Sequence, residues 1–206
     1  MSKMSLSTLI RSVSIASLLG LVACSGKPDK IRLDYRFSQQ EVYLIAEAQK
    51  EWIEAADSSE MDIPISLGFN SDQKPYKFRE QESGSEAIFY KINTNHPEYN
   101  LLKEVHGYDP LGSTLELTGM VLVEDIIREL VEIEKIYDTY GDAFYKTILH
   151  EYGHFLGLDH LEAPTSVMAS LIYVGVETCI DGGTLDYYCS INECGPNRHP
   201  TCKGGE

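Results

Sequence analysis

The sequence predicts an α+β domain, and three observations carry that reading. A run with strand period leads directly into a long amphipathic helix, four more short strand runs follow, and a later helix is marked by two histidines four positions apart. About 180 residues remain after an N-terminal targeting segment, enough for one domain with a proper core and too few for a comfortable second.

Taken in order, Lys3 and Arg11 precede an apolar run from Val13 to Ala23. The run is too short to span a bilayer but suits the core of a signal peptide. It ends Leu21-Val22-Ala23-Cys24, which resembles a bacterial lipobox, where the cysteine becomes the lipidated first residue of the mature chain. A conventional cleavable signal with a chance cysteine uses the same small residues and stays open. On the lipobox reading residues 1–23 are signal peptide, 24–30 a lipidated tether and 31–206 the domain. Ser25 after Cys24 then directs the protein, by Gram-negative sorting rules, to the outer membrane or cell surface of a bacterial envelope. Two or three acyl chains on one cysteine anchor stably, where one is marginal.

Ile31, Leu33, Tyr35 and Phe37 alternate with Arg32, Asp34 and Arg36, the period of a half-exposed strand. Ser38 with Glu41 forms a capping box, opening a helix whose apolar face is Val42, Ile45, Ala46, Trp52, Ile53 and Ala56. Ile63 to Phe69 and Ala87 to Ile92 read as strands, separated by a polar loop rich in Gln, Glu, Lys and Ser that is expected to be mobile. Leu111 to Thr118 and Met120 to Val123 read as two more, with Gly119 a turn or bulge between them. Ile126, Ile127, Leu130, Val131, Ile133 and Tyr137 fall largely on helical spacing between acidic residues, which predicts an extra helix. Asp142 is then a candidate N-cap for the helix carrying His150 and His154.

That helix carries the chemistry. His150 and His154 would lie one above the other on one face, with Glu151 pointing toward the same open side. If the helix continued, His160 would sit about 9 Å further along the axis on roughly the opposite face. The helix must therefore stop first, and Gly157 can stop it, because glycine takes the left-handed conformation at a helix C-terminus without steric cost. Three neutral imidazoles suit zinc, and a catalytic zinc site keeps its fourth position for water. Zinc lowers the pKa of water toward about 7, and a neighbouring carboxylate can take the proton and hand it to a leaving amine. Glu151 is the candidate for that role. His150, Glu151, His154, Gly157 and His160 would coincide by accident in roughly one such chain in 10^5. The joint spacing therefore outweighs the bland readings: a polar surface helix, an ordinary C-cap at Gly157, and core filler at Met168.

His150-Glu151-Tyr152-Gly153-His154-Phe155-Leu156-Gly157-Leu158-Asp159-His160, followed by Met168, resembles the metzincin clan of zinc endopeptidases and within it the matrixins. The glycine before the second histidine, the Leu-Gly-Leu-Asp-His ending, and the spacing through Pro164 to the methionine carry the likeness. By that resemblance His150, His154 and His160 are zinc ligands, Glu151 is the base, and Met168 is an apolar floor that does not bind metal. The resemblance also implies a twisted five-stranded mixed sheet, an upper subdomain to about residue 157 and a lower one from 158 to 206. In that fold the fourth strand is an antiparallel edge facing the cleft, so Leu111, Gly112, Ser113, Thr114 and Leu115 would bind an extended substrate by strand addition. An ordinary edge strand is the competing reading. Ala169 and Ser170 stand where matrixins usually place Tyr-Pro, leaving the wall of the adjoining pocket open, and Tyr173 is a poor substitute for the metal-joining tyrosine of some relatives. The His/Asp-rich loop that holds structural zinc and calcium in matrix metalloproteases is missing, as is a recognisable cysteine-switch propeptide. Calcium is thus unsupported, and His96 and His106 read as ordinary loop histidines.

With Cys24 lipidated, Cys179, Cys189, Cys194 and Cys202 form an even set that reads as two disulfides of unknown pairing, stapling a small C-terminal subdomain with Asp181-Gly182-Gly183. A second zinc site from these thiolates and His199 is the weaker alternative in an oxidising compartment. The net charge of −15 argues against nucleic acid and is compatible with cationic substrates, calcium or simple solubility. The expected function is a monomeric zinc endopeptidase acting on peptide or protein substrates, with the membrane as a partner through the N-terminal lipid. A zinc hydrolase of cell-wall peptides and a non-catalytic lipid-anchored binding module are the alternatives.

Overall fold

The computed structural model describes residues 27–69, 86–115, 119–132, 136–163, 165–170 and 178–202. In chain order these form β1 (Lys30–Asp34), α1 (Gln39–Ala56), a 3-10 turn (Ser59–Met61), β2 (Ile65–Phe69), β3 (Glu86–Ile92), α2 (Tyr99–His106), β4 (Gly112–Leu115), β5 (Gly119–Val123), α3 (Glu124–Glu132), α4 (Tyr140–Phe155) and α5 (Gly182–Ile191). The strands make one five-stranded sheet in the order β2-β1-β3-β5-β4. The first four in that order are mutually parallel, and β4 runs antiparallel to β5 at the edge. This is the α+β mixed sheet with an antiparallel edge that the sequence implied. Residues 1–26, where a signal segment and the lipidated Cys24 are expected, the polar loop over 70–85 and Tyr173 lie outside the described residues. No helix among the described residues is long and apolar enough to cross a membrane.

β1 ends three residues earlier than its alternation suggests. Asp34 accepts from the backbone N–H and the guanidinium of Arg36, and the Phe37 N–H donates to the Asp34 carbonyl. The chain turns there, leaving Tyr35 exposed while Phe37 returns to the core. The capping box then opens α1 as expected: Glu41 N–H donates to Ser38 Oγ at 3.2 Å and Ser38 N–H to Glu41 Oε2 at 2.7 Å. The buried stripe of α1 is Ile45, Ala48, Gln49, Trp52, Ala55 and Ala56; Ala46, assigned to it from sequence, faces outward. Buried Gln49 earns its place by donating to the Met61 and Ile63 carbonyls, which fixes the link into β2.

The two faces of the sheet are both covered. Ile31, Leu33, Phe89, Met120 and Leu122 face α1 and α4 in the larger cluster, while Tyr90, Ile92, Val121 and Val123 face α2 through Tyr99 and Leu102. The alternation within β3 and β5 is therefore apolar on both sides, as strands buried on two faces require. Gly119 is the first paired residue of β5, opposite Leu115 and Ile88, and so belongs to the ladder itself. α3 is the extra helix expected before the active one. α4 starts earlier than proposed: Thr139 is its N-cap, accepting from the Asp142 N–H at 3.1 Å, which places Asp142 inside the first turn. α4 packs along α1, where Trp52 Nε1 donates to the Leu149 carbonyl at 3.1 Å.

The pairing left open by sequence is Cys179–Cys202 and Cys189–Cys194, so none of the four thiolates is left for a second metal. The segment they staple is not a separate body. Tyr188 of α5 packs on Trp52, and the N–H groups of Gly195 and His199 donate to the Ala56 and Ala55 carbonyls, closing the C-terminal end of α1.

Candidate active site

α4 runs until Phe155, Leu156 caps it, and Gly157 takes φ +92°, the left-handed turn required of it. The Leu158 N–H returns to the Gly153 carbonyl, and the chain comes back across the helix end carrying His160. His154 Nε2 then stands 3.1 Å from both His150 Nε2 and His160 Nε2. Candidate ligand atoms of these three histidines lie within 4.8 Å of one another.

The tautomers follow from the neighbours. His150 Nδ1 lies 2.7 Å from the Val167 carbonyl and His154 Nδ1 lies 2.6 Å from the Leu158 carbonyl. A carbonyl only accepts, so each Nδ1 carries the proton and each Nε2 turns a bare lone pair inward. Burial, then the neighbouring His154, pushes His150 down to about 3 and His160 to about 4, so both stay neutral as ligands must be. Lone pairs this close repel unless a cation lies between them. A tetrahedral ion with bonds of about 2.0–2.1 Å to nitrogen sets its ligands about 3.3 Å apart, which this cluster fits. His150 is nearly buried and His160 exposed, so the cluster opens at its third histidine.

Met168 is fully buried, with its Sδ against Gly153 of α4. A Cβ on Gly153 would collide with Met168 Sδ and approach Trp52 Cζ2 to 3.0 Å, which gives a packing reason for that glycine. The methionine turn is held in turn by α5. Asp181 accepts from Thr184, Thr184 Oγ1 meets Ser166 Oγ at 2.6 Å, and the Met168 N–H donates to Ser166 Oγ at 3.1 Å.

Glu151 is buried at the cleft floor. Burial raises its pKa, opposed by His154 and by a hydrogen bond from Thr114 Oγ1 to Oε2 at 2.5 Å. Above it runs a cavity of about 500 Å³, lined among others by Leu111, Gly112, Ser113, Thr114, Ala169 and Ser170. Leu115 lies at the far end of β4, paired with Gly119. β4 is thus an edge strand beside the cleft, and Thr114 turns its hydroxyl to Glu151.

A sequence profile described as Matrixin, of a peptidase family, matches residues 19–180. The chain belongs to the matrixin family. It is accordingly a zinc metallopeptidase, a hydrolase of peptide bonds. Among solved structures this matrixin is similar to a zinc-dependent peptidase from Methanocorpusculum labreanum, at 14% identity over 77% of this chain and 98% of that one, with a TM-score of 0.40. No curated protein matches it.

Two cleft residues of this matrixin escaped the sequence reading. His106, which by sequence reads as a loop histidine, ends α2 and lines the cavity, its Nε2 3.1 Å from Ser113 Oγ. Burial, then His154, lowers its pKa. Tyr108 packs against it with ring centroids 5.7 Å apart, and burial, then the Glu151 charge, raises its pKa. The available signal was the two-sided apolarity of β3 and β5, which demands a second covering layer just before β4. His96 lies well before the cleft, in the turn leading to α2, where its Nδ1 accepts from the Glu98 N–H.

Proposed function

We propose that this matrixin is an endopeptidase that cleaves extended segments of envelope or extracellular proteins, with His150, His154 and His160 holding zinc and Glu151 as general base. The observation that carries the reading is the joint placement of three inward Nε2 atoms, the Glu151 carboxylate and an open edge strand around one cleft. Among the described residues no strand pairs with β4 on the side away from β5, so a peptide can lie along it as an added strand and be held in register over the site. Zinc, when bound, supplies Lewis acidity that polarises the scissile carbonyl and acidifies water. Glu151 takes a proton from the attacking water as its oxygen bonds to the carbonyl carbon, then delivers that proton to the leaving nitrogen as the C–N bond breaks. The raised pKa of this buried carboxyl suits a group that must hold a proton between the two steps.

The test is Glu151→Gln, loaded with zinc and assayed on a peptide found by cleavage profiling. The expected loss in kcat is about 10^2- to 10^4-fold with zinc stoichiometry kept. Hydrolysis at the wild-type rate by the zinc-loaded variant would remove Glu151 from the mechanism. Support for an envelope address comes from the lipobox-like Leu21-Val22-Ala23-Cys24, from which we also propose lipid anchoring through Cys24. Cys24→Ala should then move the protein out of the membrane fraction, and its staying there would refute the anchor.

A further inference from the structure

The oxygens of the Glu151 carboxylate stand in unequal surroundings. Thr114 Oγ1 donates to Oε2 at 2.5 Å, and among the described residues it is the sole hydrogen-bond donor to this carboxylate. The other oxygen lies against Gly112, where a Cβ would stand 2.8 Å from Oε1 and 2.9 Å from Cδ. Gly112 and Thr114 are two apart on β4, so they share the strand face turned to α4, while Ser113 between them points to the other side and meets His106. Antiparallel pairing with β5, Gly112 opposite Leu122 and Thr114 opposite Met120, fixes the height of that face over α4.

We propose that Thr114 is the positioning residue of the base: its hydroxyl ties up Oε2, Gly112 leaves room for the carboxyl group beneath β4, and Oε1 alone is presented as the proton acceptor. The inference rests on the base role given to Glu151 above. A carboxylate on three rotatable bonds would otherwise have more freedom to turn, and a displacement of about 1 Å at a catalytic group can cost on the order of 10^2 in rate. Thr114 has one proton to give, and it stays on Oε2 whether Oε1 is bare or protonated, so the clamp holds through both proton transfers. The substrate would bind to the backbone of the same strand, so β4 sets both the height of the peptide and that of the base.

The experiment compares Thr114→Val and Thr114→Ser with wild type and Glu151→Gln, all zinc-loaded, on the same profiled quenched-fluorescent peptide. Zinc content and thermal unfolding are measured alongside, and a crystal structure of zinc-loaded Thr114→Val locates the carboxyl. Thr114→Val should lower kcat by about 10- to 100-fold with KM within about twofold. It should keep zinc and its melting temperature, and show Glu151 displaced or split between rotamers. Thr114→Ser, which keeps the hydroxyl, should recover most of that loss. Thr114→Ala repeats the test without the methyl that Val sets in place of the hydroxyl, if that methyl disturbs β4. A kcat for Thr114→Val within twofold of wild type, a rise in KM alone, or a Ser variant as slow as Val each overturns the clamp. The base role is judged separately by Glu151→Gln: its inactivity beside an unimpaired Thr114→Val rejects the clamp and leaves the base standing, and its activity rejects both.

Discussion

At Gly153 a single hydrogen in place of a side chain decides how close the methionine turn can come. An added methyl would run into Met168 Sδ and Trp52, both fully buried, so neither can move aside cheaply. Gly153→Ala should therefore cost about 1–3 kcal/mol of stability as an overpacked core. It should also weaken zinc binding, because Val167, next to Met168, supplies the carbonyl that orients His150. Urea unfolding of the zinc-free protein and competition with a chelator separate the two effects; an unchanged chelator midpoint would show that the turn and the ligand are not coupled. At this scale the site was largely legible beforehand. Spacing alone gave the triad, Glu151 and the turn at Gly157, since helix geometry converts sequence separation directly into position. Thr114 was read only as a substrate contact, because its reach to Glu151 depends on a register between β4 and α4 that no local pattern encodes.

Between elements, α1, β3 and α4 are joined by one carboxylate. Glu41 closes the capping box of α1, accepts from buried Lys91 of β3 at 2.9 Å, and accepts from the Tyr140 hydroxyl in the first turn of α4 at 2.7 Å. Burial alone would raise its pKa, but the bonds from Ser38, Lys91 and Tyr140, with the Lys91 charge, outweigh it and hold the group below its ordinary 4.5. A folded value below the unfolded one means that the contribution is complete above the unfolded pKa and is lost as pH falls through the folded one. The destabilisation of Glu41→Gln relative to wild type should thus shrink below about pH 4.5, checked by urea unfolding at pH 7 and pH 4. A gap that stays constant with pH would show that the network is not felt in stability. Lys91→Met should cost about 2–3 kcal/mol at neutral pH, under the usual 3–5 for an orphaned buried charge because Ser38 and Tyr140 still serve Glu41. The capping box was visible in sequence, whereas its partners were not: Lys91 and Tyr140 lie on other elements, and a lysine within a strand run reads as a solvent-facing residue. α2 and α5 were missed for a related reason, since each buries only two or three side chains and shows too little apolar stripe to be called by period.

Across the whole molecule, the stapled C-terminal segment links the end of α1 to the floor of the active site. Gly195 and His199 close the α1 carbonyls, Cys179–Cys202 holds that strand of chain to the segment before α5, and Asp181 at the start of α5 reaches the methionine turn through Thr184 and Ser166. Two bridges were legible from the cysteines but this connection was not, because cysteine counting fixes neither the pairing nor the surface the bridges secure. Closing a loop of 23 residues should stabilise the fold by about 3 kcal/mol, and the loop of 5 closed by Cys189–Cys194 by about 2 kcal/mol. The two should differ in more than size. Cys189–Cys194 ties the end of α5 to its own following turn, away from Asp181, whereas Cys179–Cys202 flanks Ile180, whose carbonyl accepts from the Thr201 and Cys202 N–H groups beside Asp181. Replacing Cys179 and Cys202 by serine should therefore loosen the α5 cap and, through Ser166 and Val167, speed zinc loss to a chelator. Replacing Cys189 and Cys194 should lower stability with little effect on that rate. Zinc release measured on both double variants under conditions where each stays folded decides the matter: equal release rates would mean that the C-terminal segment stabilises the fold without supporting the metal centre.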